Sequence, residues 1–286
     1  MEDRIWRTVC VLLEDVPGGD QRCVYKLRDV LRAGLWSILH DRPFCWACVP
    51  SNWPPHLRPG ALPTQSTLSR RWRTRAVKSA LERLLRTVLG LLGPLGRYGA
   101  IDGRPLLIGG ASRDPDARAG RAVRGLGRGY KLHAIVTASG VIAEFVVRPM
   151  NQAEQTVARA LLRRAPRELQ RIIGDTIFDC MPVHEVAQLT GRRLYTPIRQ
   201  NRVGRRRQAR RLQLLRLNAR VVGRKLLRSR DVVERTFARM SNIGFGFKGL
   251  PPWVRRQHRV HAWISGKILL YHTYLLELSQ DRTLAA

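Results

Sequence analysis

The sequence predicts an α/β fold, with a mixed sheet flanked by helices over residues 96–286 and a small helical domain over 1–95 ahead of it. Three observations predict it. Apolar residues recur at helical spacing up to about Thr87, whereas from Tyr98 onward they alternate. Two β-rich runs, Tyr130–Thr137 and Val141–Val147, are separated only by Ala138-Ser139-Gly140, a hairpin connection in length and composition. Beyond them, helix-like and strand-like segments take turns. At 44% hydrophobic content the 286 residues can bury a sizeable core.

The first domain is rich in Trp and Arg and is divided by a Pro-rich stretch from Pro50 to Pro63. After it, Thr64-Gln65-Ser66-Thr67 places small polar residues where a helix starts, and Arg70, Arg71 and Arg73 follow along its length. Such a helix suits a DNA backbone. Trp36, Trp46, Trp53 and Trp72 are read as core, the usual place of large aromatics in a small helical domain. Cys45-Trp46-Ala47-Cys48 lies near His40 and His56, but a lone CxxC without a second pair is weak evidence for zinc.

In the second domain Ala100-Ile101 forms a core strand ending at Asp102, and an Arg- and Gly-rich loop runs from there to Gly129. The hairpin comes next, then a helix over Glu154–Arg164 and a buried strand over Leu169–Ile173 that breaks at Gly174-Asp175. Met181–Leu189 is helical, and Leu194–Pro197 is a short strand. A basic segment over 199–230 holds no acidic residue, and helices over Asp231–Met240 and His258–Leu278 close the chain.

The 52 Lys and Arg against 21 Asp and Glu give a net charge of +31. On a foldable chain that excess predicts a polyanionic partner, because each cation placed near a phosphate releases condensed counterions. Arg205, Arg206 and Arg207 sit in a run that repels itself unless a polyanion is present, so phosphate contact is expected there. An anionic membrane is the competing partner. Met1-Glu2-Asp3-Arg4 lacks a signal-peptide pattern, and Val88–Leu95 is too short and too broken to span, so a cytoplasmic, nucleoid-associated location is expected. Five cysteines at uneven spacing argue for reduced thiols.

Phosphodiester cleavage with two metal ions needs carboxylates converging from separate elements, with the ions about 3.5–4 Å apart. Asp102 and Asp175 each end a core strand, and Glu234 borders the apolar stripe of Val233, Phe237 and Met240 on a later helix. Each has a plainer reading: a turn-forming Asp-Gly, a helix N-cap, and a surface Glu paired with Arg230 four residues earlier. Together, in a chain poor in acids, they point to metal-dependent chemistry on DNA.

Five segments occur in order: Ala100-Ile101-Asp102-Gly103, Gly129-Tyr130-Lys131-Leu132-His133, Asn151-Gln152-Ala153-Glu154, Gly174-Asp175-Thr176-Ile177-Phe178-Asp179, and Arg230-Asp231-Val232-Val233-Glu234-Arg235-Thr236-Phe237. In sequence and spacing they resemble the DDE transposases of bacterial insertion sequences, families four and five, over roughly half the chain. The resemblance implies an RNase H-like fold, with the first Asp on the first strand, the second after the fourth, and the Glu on a later helix. It implies that Asp102, Asp175 and Glu234 are catalytic and hold Mg²⁺ or Mn²⁺, two ions in all. It also implies that double-stranded DNA is the partner, as terminal inverted repeats and as target, with a homodimer assembled on it. Spacings of 73 and 59 residues leave no room for a large insertion before the Glu.

Lys131, Arg230 and the three N-terminal arginines are the other expected DNA contacts. Lys131 and His133 share one face of a strand beside Asp102, suited to a phosphate or to supporting a carboxylate. The chain departs from the family pattern at Leu227 and Ser241, where a Tyr and a Lys are usual; Lys225, Arg239 and Lys248 are the nearby substitutes. Two alternatives follow: a transposase-derived protein that binds DNA without cutting it, and a related metal-dependent nuclease.

Overall fold

The computed structural model describes residues 1–17, 23–123, 125–198, 216–247 and 249–284. They form two compact units. Residues 1–93 and 240–286 make up the first, and 94–239 the second. Residues 240–286, which the sequence grouped with the sheet, therefore cluster with the N-terminal helices. Arg205, Arg206, Arg207 and Lys248 lie outside the described residues.

The first unit is built from α1 (Glu2–Glu14), α2 (Leu27–Leu39), the short α3 (Phe44–Ala47), α4 (Gln65–Arg71) and α5 (Arg75–Leu91). The closing helix of the chain packs on α5, α1 and α2. Thr64 and Thr74 cap α4 and α5, each accepting a hydrogen bond from a backbone N–H three residues on. Along α5, Val77, Ala80, Leu81, Leu84 and Val88 recur at three- and four-residue steps and are buried. Trp36, Trp53 and Trp72 are buried as expected, Trp46 half so. Trp36 stacks on Trp53 with ring centres 4.8 Å apart, and both indole N–H groups donate to backbone carbonyls. Cys48 donates to the Phe44 carbonyl, and burial pushes its thiol up to about 11.

In the second unit, β1 (Tyr98–Leu107) is central. It pairs antiparallel with β3 (Gly125–Thr137) and parallel with β5 (Arg171–Ile173), while β4 (Ile142–Pro149) pairs β3 and β6 (Arg193–Tyr195) pairs β5. This is a mixed sheet flanked by helices, as expected. Helices α6 (Glu154–Arg164) and α7 (Met181–Leu189) cover it through Val157, Leu161, Val183 and Val186, packed with Ile101, Ile135 and Ile172.

The loop expected up to Gly129 is instead partly a ribbon: β2 (Arg118–Ala122) pairs with the start of β3. Asp175 consequently follows the fifth strand. Gly120 is required in the ribbon, because a Cβ there would lie 2.4 Å from the Met150 carbonyl oxygen. Further helices are α8 (Val221–Arg228), α9 (Asp231–Asn242) and α10 (Gln257–Leu284). Among the described residues no helix is long and apolar enough to cross a membrane.

Two buried imidazoles set an acid limit on stability. Burial pushes His272 down to about 3, and burial together with the charges of Lys131 and Arg148 does the same for His133. Both stay neutral in the fold, whereas the unfolded chain takes up their protons near pH 6.5. Stability is thus intact above 6.5 and falls as pH drops toward 3, by about 1.4 kcal/mol per pH unit for each group. Urea midpoints at pH 7 and pH 5 check this; equal midpoints would refute it.

Candidate active site

The register of β1 and β3 separates two faces. Ile101 lies opposite Ile135 and Gly103 opposite His133, so these share the face that α6 covers; Asp102, opposite Ala134, belongs to the other. Arg104, two residues on, shares the Asp102 face and donates to the Phe237 carbonyl of α9 at 2.6 Å. That bond holds the helix bearing Glu234 over the strand bearing Asp102.

Asp102 is half-buried, and its Oδ1 accepts from the Gly103 N–H at 2.7 Å. Burial raises its carboxyl above the ordinary range. The Gly103 hydrogen bond and the charge of Arg230 oppose that rise, and the charges of Glu154 and Asp175 add to it. Asp175 caps a single 3₁₀ turn over Thr176–Phe178, accepting from the Thr176 N–H at 2.6 Å. Asp175 thus caps this short turn and not the helix after it, α7, whose N-cap is Cys180, and the residue does more besides. Its Oδ2 stands 3.5 Å from the Arg230 guanidinium, whose other nitrogen is 3.1 Å from Glu234 Oε1.

Arg230 thus bridges two of the three carboxylates and is felt by the third. Glu234 pairs with it at the four-residue spacing, and its side chain is 61% exposed. Among the described residues, no three acids, histidines or cysteines stand close enough together to hold a metal ion as they are.

Lys131 is 7% exposed, and its ammonium sits 2.6 Å from Glu154. In this arrangement it supports a carboxylate and does not reach out to a phosphate; His133 is buried beside it on the same face. Arg70 and Arg73 are exposed and Arg71 is half-buried, all three in the helical unit. Leu227 and Ser241 are half-buried on α8 and α9.

Glu154 is the residue that sequence reasoning passed over. It opens α6 within Asn151-Gln152-Ala153-Glu154, a segment noticed but given no role, and only the fold brings its charge near Asp102. The next residue, Gln155, donates to the Ile177 carbonyl at 3.0 Å, tying α6 to the turn that Asp175 caps.

Residues 94–272 match the family described as Transposase DDE domain, which is more than half of the chain. The chain belongs to this transposase family. The match takes in Asp102, Asp175 and Glu234. Among solved structures, a cryo-EM structure of a piggyBac transposase synaptic complex with hairpin DNA is similar at 10% identity and a TM-score of 0.34. The likeness covers 70% of this chain and 48% of that one, so the chain spans about half the length of that transposase. No curated protein matches the sequence.

Proposed function

We propose that this DDE-family chain is a transposase that binds terminal inverted repeats, cuts the DNA at the ends of an insertion sequence and joins them to a target. The observation that carries the reading is the arrangement of Asp102, Asp175 and Glu234 around Arg230, in a chain of charge +31. Three carboxylates offer only hard oxygen donors, which suits Mg²⁺ or Mn²⁺. The donor set fits such ions; the spacing as it stands requires the carboxylates to draw together. Ions held there would supply Lewis acidity at the scissile phosphate.

The chain's own residues supply the rest. Arg230 neutralises Asp175 and Glu234 without DNA, and with DNA present its guanidinium is free to turn to a phosphate oxygen. Lys131 balances Glu154, so that Asp102 does not face a second unpaired carboxylate. The exposed arginines of the helical unit serve the end sequence, and two active sites for two ends call for a dimer on DNA.

The test incubates the protein with labelled DNA carrying the inverted repeats that flank its coding region, with Mn²⁺, and scores nicking and strand joining. Joining supports the transposase, and cutting without joining would indicate a nuclease. Binding without cutting would indicate a silent DNA binder, the reading that Leu227 and Ser241 favour.

If Arg230 occupies the place of the ions, Arg230→Gln should bind Mn²⁺ about 5- to 10-fold more tightly without DNA, since it removes one competing cation. Titration calorimetry reads this directly. Unchanged or weaker binding would mean that Arg230 does not compete with the ion.

A further inference from the structure

We propose that the helical unit carries a pocket for one unpaired nucleobase of DNA; the proposal rests on the reading of this chain as a DNA-binding protein. The cavity has a volume of ≈ 120 Å³. Four aromatic rings line it: Phe44, Trp72, Trp253 and Trp263. Phe44 and Trp72 meet edge to face at 5.4 Å. Trp72 is fixed by Gly34, where a Cβ would fall 2.0 Å from its ring. Trp253 is 41% exposed, so part of its indole is open to a ligand.

The polar lining matches the edge of a base. Gln65 and Ser69 are four apart on α4 and so share a face, and a glutamine amide offers both a donor and an acceptor. Trp263 lines the cavity too, and its buried indole N–H has no hydrogen-bond partner among the described residues. Arg259 brings a positive charge, and no carboxylate is among the lining residues. Arg70 and Arg73 are exposed on and just beyond the same helix and add positive charge to it. Aromatic faces, a mixed hydrogen-bonding edge and flanking cations together fit a flat heterocycle on a phosphate chain. A base within a paired, stacked duplex has no free face to offer, so the ligand is an unpaired one.

The test uses the full-length protein and two DNA probes, a fully paired duplex and the same duplex with one unpaired 2-aminopurine. Anisotropy gives affinity, and 2-aminopurine emission reports stacking. The expected result is a preference of about 10-fold for the unpaired probe, with quenched emission. Trp253→Ala should abolish both while leaving affinity for the paired duplex unchanged, and Trp253→Phe should restore part of the preference. Gln65→Ala, at an exposed position, should weaken the preference and decides the matter if Trp253→Ala fails to fold. Equal binding of the two probes by the unaltered protein, or a preference that survives both alanine variants, overturns the pocket. Binding of neither probe would overturn the DNA-binding reading itself, and the pocket with it.

Discussion

Asp175→Asn is expected to lower Mn²⁺-dependent cleavage of end DNA by about 10³-fold or more while leaving the fold and end binding in place. The change nearly conserves shape, and an Asn oxygen can still accept from the Thr176 N–H that Asp175 caps. What it removes is the negative charge of one oxygen pair proposed to hold a metal. A 10³-fold loss corresponds to about 4 kcal/mol of transition-state stabilisation, the order expected when a charged group at the reacting phosphate is lost. Single-turnover cleavage beside a thermal midpoint checks it. Cleavage within tenfold of the unaltered protein would remove Asp175 from the proposed site.

Phe178→Ala is expected to cost about 3–5 kcal/mol of stability in the sheet-bearing unit. Phe178 is 1% exposed and closes the turn that Asp175 opens, packing among the residues that join the sheet to α6 and α7. Its loss leaves a cavity and loosens the turn, so cleavage should fall along with the urea midpoint. A small midpoint change, under about 1 kcal/mol, would mean that the neighbouring side chains collapse into the space.

Helices α6 and α7 were legible to the residue, since their apolar positions keep helical spacing between clear breaks. The β2–β3 ribbon was not, because glycine and arginine carry little strand signal and the pairing depends on close backbone approach beside Met150. The membership of α10 was hidden for another reason. Its apolar residues lie on all sides, which marks a helix buried all round but does not say what surrounds it. At the candidate site, Asp175 was visible as an acid just past a strand end, whereas Asp102, expected to end its strand, lies inside β1 because pairing with β3 continues to Leu107; the pairing of Arg230 with Glu234 follows from helix geometry. The reach of Arg230 to Asp175 and the influence of Glu154 on Asp102 cross long stretches of chain, which local pattern cannot encode.

The helical unit is assembled from both ends of the sequence: Arg4 of α1 meets Glu277 and Asp281 of α10, and α10 packs on α1, α2 and α5. On the ribosome these partners are separated by the entire synthesis of residues 94–239. The sheet-bearing unit, contiguous in sequence, has all its parts as soon as residue 239 emerges, while α1, α2 and α5 wait for the helix that packs on all three. The order of folding is therefore the reverse of the order of synthesis for the first ninety residues. A nascent chain stalled before α10 would present its folded sheet beside helices open to proteases and chaperones.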